Sequence, residues 1–255
     1  QLQRSPRHLS MNHVGTNQNT TNQIYWVADN VIRSDFPDVE RALRDPDGLL
    51  AIGGDLSPER VLDAYRRGIF PWFSQGQPIL WWSPNPRCVL EPDGLAVSRS
   101  LRRTLKRGLF RVTFNRSFAA VIKACSQPRR AGPETWITTE VLQAYTTLHH
   151  TGHAISVECW KGEHLAGGLY GLVIGRVFFG ESMFSRADDA SKVALVHLVN
   201  ELRVRGFRLL DCQVHSHHLQ SLGATPMPRP LFTSILNHYC SGPSTTDWPA
   251  ESTLP

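Results

Sequence analysis

The clearest hydrophobic pattern lies between positions 177 and 213, where two apolar runs flank a stretch with helical periodicity. Val177–Phe184 is rich in β-forming residues, Ser191–Arg205 repeats apolar residues close to the helical period, and Phe207–Leu210 is apolar again. A connection of this length normally joins two parallel strands of one sheet. The pattern therefore predicts a strand–helix–strand crossover.

The rest of the chain alternates between the same two periods. Helices are predicted at Ser57–Gly68, Ser98–Arg107, Ser117–Cys125 and Glu140–Thr151, and strands at Phe110–Phe114, His153–Trp160 and His164–Val173. Antiparallel strands followed by a parallel crossover predict an α+β fold with a mixed sheet. We divide the chain into a polar N-terminal tail (1–33), a small N-terminal α/β domain (34–95), a second domain (96–240) and a polar C-terminal tail (241–255).

Composition narrows the class of protein. The chain has 255 residues, of which 41% are hydrophobic, enough for a substantial core, and it contains no run near the about 18 apolar residues of a membrane span. Its five cysteines form no CxxC pair, and the N-terminal stretch lacks the apolar segment of a secretory signal. We therefore expect reduced, buried thiols in a cytoplasmic protein without a membrane anchor.

Positive charge is concentrated on one predicted helix, SRSLRRTLKRG. Its cations fall within an arc of roughly 140° at about 100° per residue, with the leucines on the other side. They are Arg99, Arg102, Arg103, Lys106 and Arg107. Cations without interspersed acids repel one another, which favours contact with nucleic-acid phosphates, although a solvated helix face remains the alternative. Trp72, Trp81 and Trp82 similarly form either a small core or a stacking platform.

Three polar residues interrupt the apolar crossover strands. Asp211 and Gln213 stand two positions apart, so a regular strand places both on one face, and Glu181 interrupts the preceding strand. A buried carboxylate beside an amide is costly unless both are hydrogen-bonded. Together they would hold and polarise an incoming amine; the alternative is a structural hydrogen bond that closes the strand end.

Other candidate motifs are weaker. The helix that starts near Ser191 and Lys192 offers backbone N–H groups and a cation that could bind a phosphate or a terminal ribose. The alternative is an ordinary helix start without a ligand. His215, His217 and His218 lack acidic or thiol partners at ligand spacing, so we expect no metal. The sequence has no GxSxG elbow, P-loop or GxGxxG motif.

Several long and unusual blocks resemble one family, the leucyl/phenylalanyl-tRNA–protein transferases, and cover about residues 36–236 in that family's order. The blocks are GLLAIGGDLSPERVLDAYRRGIFPWF, PILWWSPNPR, ETWIT, GGLYG, FFGESMFSR, ASKVAL, LLDCQ and SLGA. The resemblance implies a bacterial enzyme that moves Leu or Phe, and less readily Met, from Leu-tRNA or Phe-tRNA to the N-terminal amine of proteins beginning with Lys or Arg. The product is an N-degron that directs protein degradation.

The resemblance also implies a domain similar to the GCN5-related N-acetyltransferases and no bound cofactor. We further expect a monomer. By position, Asp211 and Gln213 match the catalytic pair and Glu181 the cleft glutamate. The aminoacyl pocket maps onto Met183, Ser185, Leu195, Leu210 and Leu169, the last where some members carry Met. The terminal adenosine maps onto Trp72 and Trp136, and the basic helix matches the tRNA-contacting patch. To the 3′-end site we add Ser191 and Lys192 from the helix start described above.

Two rival functions remain distinguishable. An acetyl-CoA-dependent N-acetyltransferase on the same fold would need a glycine-rich pyrophosphate loop, and residues 186–190 contain no glycine. An RNA-binding module without catalysis would need no Asp211, Gln213 or Glu181. The transferase is therefore the favoured interpretation.

Overall fold

A computed structural model of the protein describes residues 24–29, 36–127 and 136–254. The helices are α1 (Pro58–Arg66), α2 (Arg99–Lys106), α3 (Phe118–Cys125), α4 (Thr139–His150), α5 (Ala190–Val204), α6 (His217–Ser221) and α7 (Arg229–Tyr239). The strands are β1 (Tyr25–Val27), β2 (Leu49–Gly53), β3 (Phe70–Pro71), β4 (Leu80–Trp82), β5 (Arg87–Leu90), β6 (Arg111–Phe114), β7 (Ala154–Lys161), β8 (His164–Ile174), β9 (Val177–Ser185), β10 (Leu209–Gln213), β11 (Thr225–Met227) and β12 (Glu251–Ser252). The helices predicted from periodicity are all present within one or two residues of their predicted ends.

The larger sheet has the strand order β11-β5-β10-β9-β8-β7-β6-β12. β9 and β10 run parallel, with Leu210 opposite Phe178 and Asp211 opposite Phe179, and the other neighbours are antiparallel. The predicted crossover is confirmed, since α5 connects the two parallel strands. Glu181 and Asp211 consequently come from adjacent strands.

The smaller sheet has the order β1-β2-β4-β3 and packs with α1. Its apolar residues share one core with α3, α4, α7 and one face of the larger sheet. A second core on the opposite face of that sheet is formed with α5 and the buried Leu101 of α2. Two layers of helices therefore enclose the larger sheet, and the small sheet lies on the α3–α4 side. The predicted α+β class with a mixed sheet is confirmed.

Both predicted tails contain short strands, which corrects the sequence prediction for these residues. β1 adds to the small sheet beside β2, and β12 pairs with β6. Trp248 anchors the C-terminal segment by stacking on Phe114, with ring centroids 5.5 Å apart. Segments this short carry no recognisable period, so pairing with an existing strand decides their structure. Most of the predicted N-terminal tail lies outside the described residues.

The predicted N-terminal domain contributes to both sheets, because β5 pairs with β10 in the larger one. Trp81 and Trp82 are buried in the shared core, which favours the small-core interpretation of the tryptophan cluster for these two residues. Among the described helices, none combines the length and the apolar character needed to cross a membrane.

Candidate active site

Asp211 lies at the centre of the site and is fully buried. Arg87 donates two hydrogen bonds to its carboxylate, from Nε to Oδ1 at 2.8 Å and from Nη2 to Oδ2 at 2.7 Å. The guanidinium also donates to the carbonyl of Gly68 and is 4.6 and 4.8 Å from the ring centroids of Phe70 and Phe232. Such a bidentate pair satisfies a buried carboxylate. Sequence analysis missed Arg87.

Gln213 sits in an irregular end of β10. Its backbone is left-handed, with φ 56°, and the pairing with β5 shifts register between Asp211 and Gln213. Its N–H donates to Asp211 Oδ1 at 3.0 Å. Among the described residues, Asp211 therefore contacts the Gln213 backbone and not its side-chain amide. The register shift breaks the strict two-residue alternation that the prediction assumed.

The side-chain amide of Gln213 remains available for a further contact. Its Nε2 atom is buried and has no hydrogen-bond partner among the described residues. A buried amide donor without a partner is unfavourable by about 1–3 kcal/mol. Gln213 also lines two neighbouring cavities. This combination is typical of a group that meets a ligand.

Glu181 is bound by a chain of two buried tyrosines. Tyr65 donates to Glu181 Oε1 at 2.7 Å, and the hydroxyls of Tyr65 and Tyr145 are 2.7 Å apart. Burial raises the pKa of Glu181 to about 8, against the opposing effect of hydrogen bonds from both tyrosines. The neutral carboxyl therefore predominates at pH 7 and can donate as well as accept. The tyrosines appear in sequence only as apolar-face residues of two helices, so their contact with Glu181 was missed.

An apolar cleft opens beside Glu181 and Gln213. It encloses about 450 Å³ including its open mouth. Its apolar lining includes Leu169, Met183, Leu195, Leu198, Leu210 and Leu219. Four of the five predicted pocket residues thus line one cavity. Its walls are suited to an uncharged, branched or aromatic side chain.

Ser185, the fifth predicted pocket residue, is not in the lining of this cleft. Its hydroxyl donates to the carbonyl of Ala187 at 2.8 Å and accepts the N–H of Ser191 at 3.2 Å. It thereby stabilises the turn that precedes α5. Ser185 is correspondingly exposed.

A second cavity lies on the other side of the same two polar residues. Phe70, Pro71, Trp72 and Trp136 line it together with Glu181 and Gln213. The Nε1 atom of Trp72 is buried and has no hydrogen-bond partner among the described residues. The predicted adenosine tryptophans therefore share one cavity, which meets the apolar cleft at Glu181 and Gln213.

The start of α5 is separate from both cavities. Lys192 Nζ contacts Asp189 Oδ1 at 2.8 Å, and Ser191 is buried. Neither residue is in the lining of the cleft or of the tryptophan cavity. The structure therefore does not bring these two predicted 3′-end residues together with Trp72 and Trp136.

The basic face of α2 is exposed along its whole length. All five predicted cations are exposed, and none forms an ion pair with an acid among the described residues. Leu101 is buried on the opposite side, and Thr104 donates to Asp189 Oδ2 at 3.1 Å, which connects α2 to the start of α5. An unneutralised cationic face of this kind is suited to a polyanion.

Comparison with known proteins assigns the family. Two family models match, one described as "Leucyl/phenylalanyl-tRNA protein transferase N-terminal domain" over residues 54–85 and one as "Leucyl/phenylalanyl-tRNA protein transferase" over residues 89–237. Curated proteins with the latter name are similar along most of their length. One from Azotobacter vinelandii is 59% identical over 84% of this chain and 94% of its own, and one from Aromatoleum aromaticum is 57% identical over 89% and 95%.

A solved structure, titled "The structure of L-PGS from Bacillus licheniformis", aligns with 76% of this chain and 74% of its own at 7% identity. Its TM-score of 0.39 is too low to support a conclusion.

The chain has a mixed α+β fold with an apolar cleft that ends at buried polar groups, and its relatives define its class as aminoacyltransferase. The chain belongs to the leucyl/phenylalanyl-tRNA protein transferase family. The resemblance inferred from the sequence blocks is thereby confirmed.

Proposed function

We propose that the protein transfers Leu or Phe, and less readily Met, from aminoacyl-tRNA to the N-terminal amine of proteins that begin with Lys or Arg. The product is an N-degron for proteolysis in the bacterial cytoplasm. The enzyme acts there as a monomer without a bound cofactor. The domain built around the larger sheet and its β9–α5–β10 crossover is proposed to be an acetyltransferase-like catalytic domain.

One observation carries the proposal: the apolar cleft ends at Glu181 and Gln213, and the tryptophan cavity begins at the same two residues. An aminoacyl-adenosine end has an apolar side chain on one side of its ester and an aromatic base on the other. The cleft would take the side chain, and Trp72 and Trp136 would stack on the base. The ester would then lie between Glu181 and Gln213.

The chemical demand on the enzyme is modest, because the ester is already activated and mainly needs an aligned amine. The Gln213 side chain would hydrogen-bond the attacking amine. Asp211 acts through the backbone, since it accepts the Gln213 N–H and is itself held by Arg87. An amide is too weak a base to take the proton, which goes to the ribose hydroxyl or to water.

Glu181 would fix the aminoacyl-adenosine end. Its carboxyl is held at one oxygen by Tyr65, and burial keeps it mainly neutral at pH 7. A neutral carboxyl donates a hydrogen bond to an ester or amine without placing a full negative charge beside the ester. The attacking N-terminal amine, with an unperturbed pKa of about 7.7–8.0, is partly neutral at the same pH.

The exposed cations of α2 would contact tRNA phosphates. Such contacts position the RNA without reading its sequence. Specificity for the amino acid would come from the apolar cleft instead, where one methylene is worth about 1–3 kcal/mol. Transfer of Met at a lower rate than Leu is therefore expected.

The proposal is tested with Leu-tRNA that carries labelled leucine and a peptide beginning with Arg. Label should appear on the peptide, depend on intact tRNA, and be lost when the peptide is N-acetylated. A peptide beginning with Asp is the acceptor control. Tight tRNA binding with no transfer of Leu, Phe or Met would contradict the proposal.

A further inference from the structure

Two buried cysteines flank the polar residues of the site. Cys88 follows Arg87 on β5, and Cys212 separates Asp211 from Gln213 on β10. Both are free thiols, with 2% and 5% of their surface exposed. Cys212 also lines the apolar cleft.

The strand pairing directs these two cysteines toward each other. β5 and β10 are antiparallel neighbours, and Cys88 is the residue opposite the register shift that follows Asp211. At such a shift two residues of one strand oppose one residue of the other, so Cys212 and Gln213 both face Cys88. Opposed residues in antiparallel strands have Cα atoms about 4.5–5.5 Å apart, which lies within the range that a disulfide spans.

The thiols interact and differ in acidity. A side-chain hydrogen bond with Cys212 lowers the pKa of Cys88 against the opposing effects of burial and of the Asp211 charge, and the positive charge of Arg87 acts in the same direction as the hydrogen bond. The same hydrogen bond and burial raise the pKa of Cys212 well above its ordinary value. Cys88 is therefore the better nucleophile of the two, and Cys212 is positioned to react with it. In contrast, burial raises the pKa of Cys159 and Cys240 to about 12.

We infer that Cys88 and Cys212 form a redox-active dithiol, which hydrogen peroxide oxidises to a disulfide. The Cys88 thiolate attacks the peroxide O–O bond, and the leaving hydroxide takes a proton to become water, so that a sulfenic acid forms on Cys88. The Cys212 sulfur then attacks the Cys88 sulfur and expels a second water molecule. Two thiols and one hydrogen peroxide thus give one disulfide and two waters.

Disulfide formation would change the site, because an S–S bond of about 2.05 Å is much shorter than a thiol–thiol hydrogen bond. It would draw the Cys212 sulfur away from the apolar cleft, whose wall it forms beside Gln213. Oxidation is therefore expected to abolish aminoacyl transfer, and reduction to restore it. This consequence for activity rests on the proposed function; formation of the bond itself does not.

The experiment treats the full chain with hydrogen peroxide, identifies linked peptides by mass spectrometry, and assays transfer before and after dithiothreitol. A Cys88–Cys212 peptide pair lighter by two hydrogen atoms should appear as transfer is lost, and both changes should reverse. Cys88→Ala should keep its transfer activity under peroxide, whereas Cys240→Ala, which alters an equally buried thiol, should be inactivated like the parent. Circular dichroism checks the folding of each variant, and Cys88→Ser replaces Cys88→Ala if that variant fails to fold.

Single oxidised thiols without a linked peptide would overturn the inference, as would inactivation of Cys88→Ala at the parental rate. If the linked peptide forms but the reduced protein transfers no amino acid, the proposed function is contradicted and the inference of a redox-active dithiol still holds.

Discussion

Arg87 and Asp211 form a bidentate ion pair between residues 124 positions apart, with side-chain exposures of only 1% and 0%. The pair joins β5 to β10 in the larger sheet. Through Arg87 it also reaches Gly68, Phe70 in β3 of the small sheet, and Phe232 of α7. Because Asp211 also accepts the Gln213 N–H, the position of Gln213 depends on Arg87.

The first prediction separates the structural from the functional role of this pair. Asp211→Asn should lower the free energy of unfolding by about 3–5 kcal/mol, because it leaves the Arg87 charge buried without a counter-ion. The double variant Arg87→Met/Asp211→Leu should recover most of this loss but not aminoacyl transfer, since Gln213 still lacks its acceptor. Urea unfolding and the transfer assay measure the two effects.

The exposed pair of Arg208 and Glu91 provides the control. Glu91→Gln should change stability by less than about 1 kcal/mol and leave transfer unchanged. Recovery of transfer in the Met/Leu variant would show that the pair has no role in positioning Gln213.

The second prediction concerns Glu181, whose pKa burial raises from 4.5 to about 8. Between these pH values the folded chain keeps a proton that the unfolded chain releases, so stability falls as pH rises through this window. The slope from this residue is at most about 1.4 kcal/mol per pH unit. Urea unfolding between pH 5 and about pH 8 should therefore show a steeper loss in the parent than in Glu181→Gln, which cannot ionise. Parallel curves would contradict the raised pKa.

The third prediction tests the apolar cleft as the side-chain pocket. Leu195→Ala should reduce kcat/KM for Leu-tRNA by about 10–150-fold and shift selectivity toward Phe, because it removes contacts and widens the cleft. Competition between differently labelled Leu-tRNA and Phe-tRNA measures the shift. Leu202→Ala is a matched control, since Leu202 lies on the same helix and is buried but does not line the cleft. An equal change of selectivity in both variants would refute the assignment.

The fourth prediction tests the basic face of α2. Replacing Arg103 and Lys106 by Gln should weaken tRNA binding and reduce the slope of log K against log salt by about 0.7–0.9 for each lost phosphate contact. Arg203→Gln, which removes one exposed cation from the last turn of α5, is the control for loss of surface charge outside this face. Filter binding across a salt series measures the tRNA affinity and its salt dependence for each variant. An unchanged slope in the double variant would favour the solvated-face interpretation.

The crossover and the polar residues within it were predictable because they depend on local periods. Apolar spacing placed β9, α5 and β10 correctly, and an acid within an apolar strand marked Glu181 and Asp211 as unusual. The α2 cations were likewise visible, because a helix of known period decides which side chains share a face.

The partners of these residues were not predictable from one sequence. Arg87 stands in a short strand, and nothing local indicates a partner 124 positions away. Tyr65 and Tyr145 fit the apolar faces of α1 and α4, so their hydroxyl contacts become visible only when the two sheets are packed together. The left-handed backbone of Gln213 depends on the register shift against β5, which alternation within β10 does not encode.

The most direct test of the central claim compares chemistry with binding in Gln213→Ala. If the Gln213 amide holds the attacking amine, the single-turnover rate of transfer from Leu-tRNA to an Arg peptide should fall by about 10²–10³-fold, as for loss of one positioned hydrogen-bond group, while the Kd for tRNA stays unchanged. Gln143→Ala, at an exposed position of α4, should change neither quantity. An unchanged rate, or equal losses of rate and binding, would contradict the account.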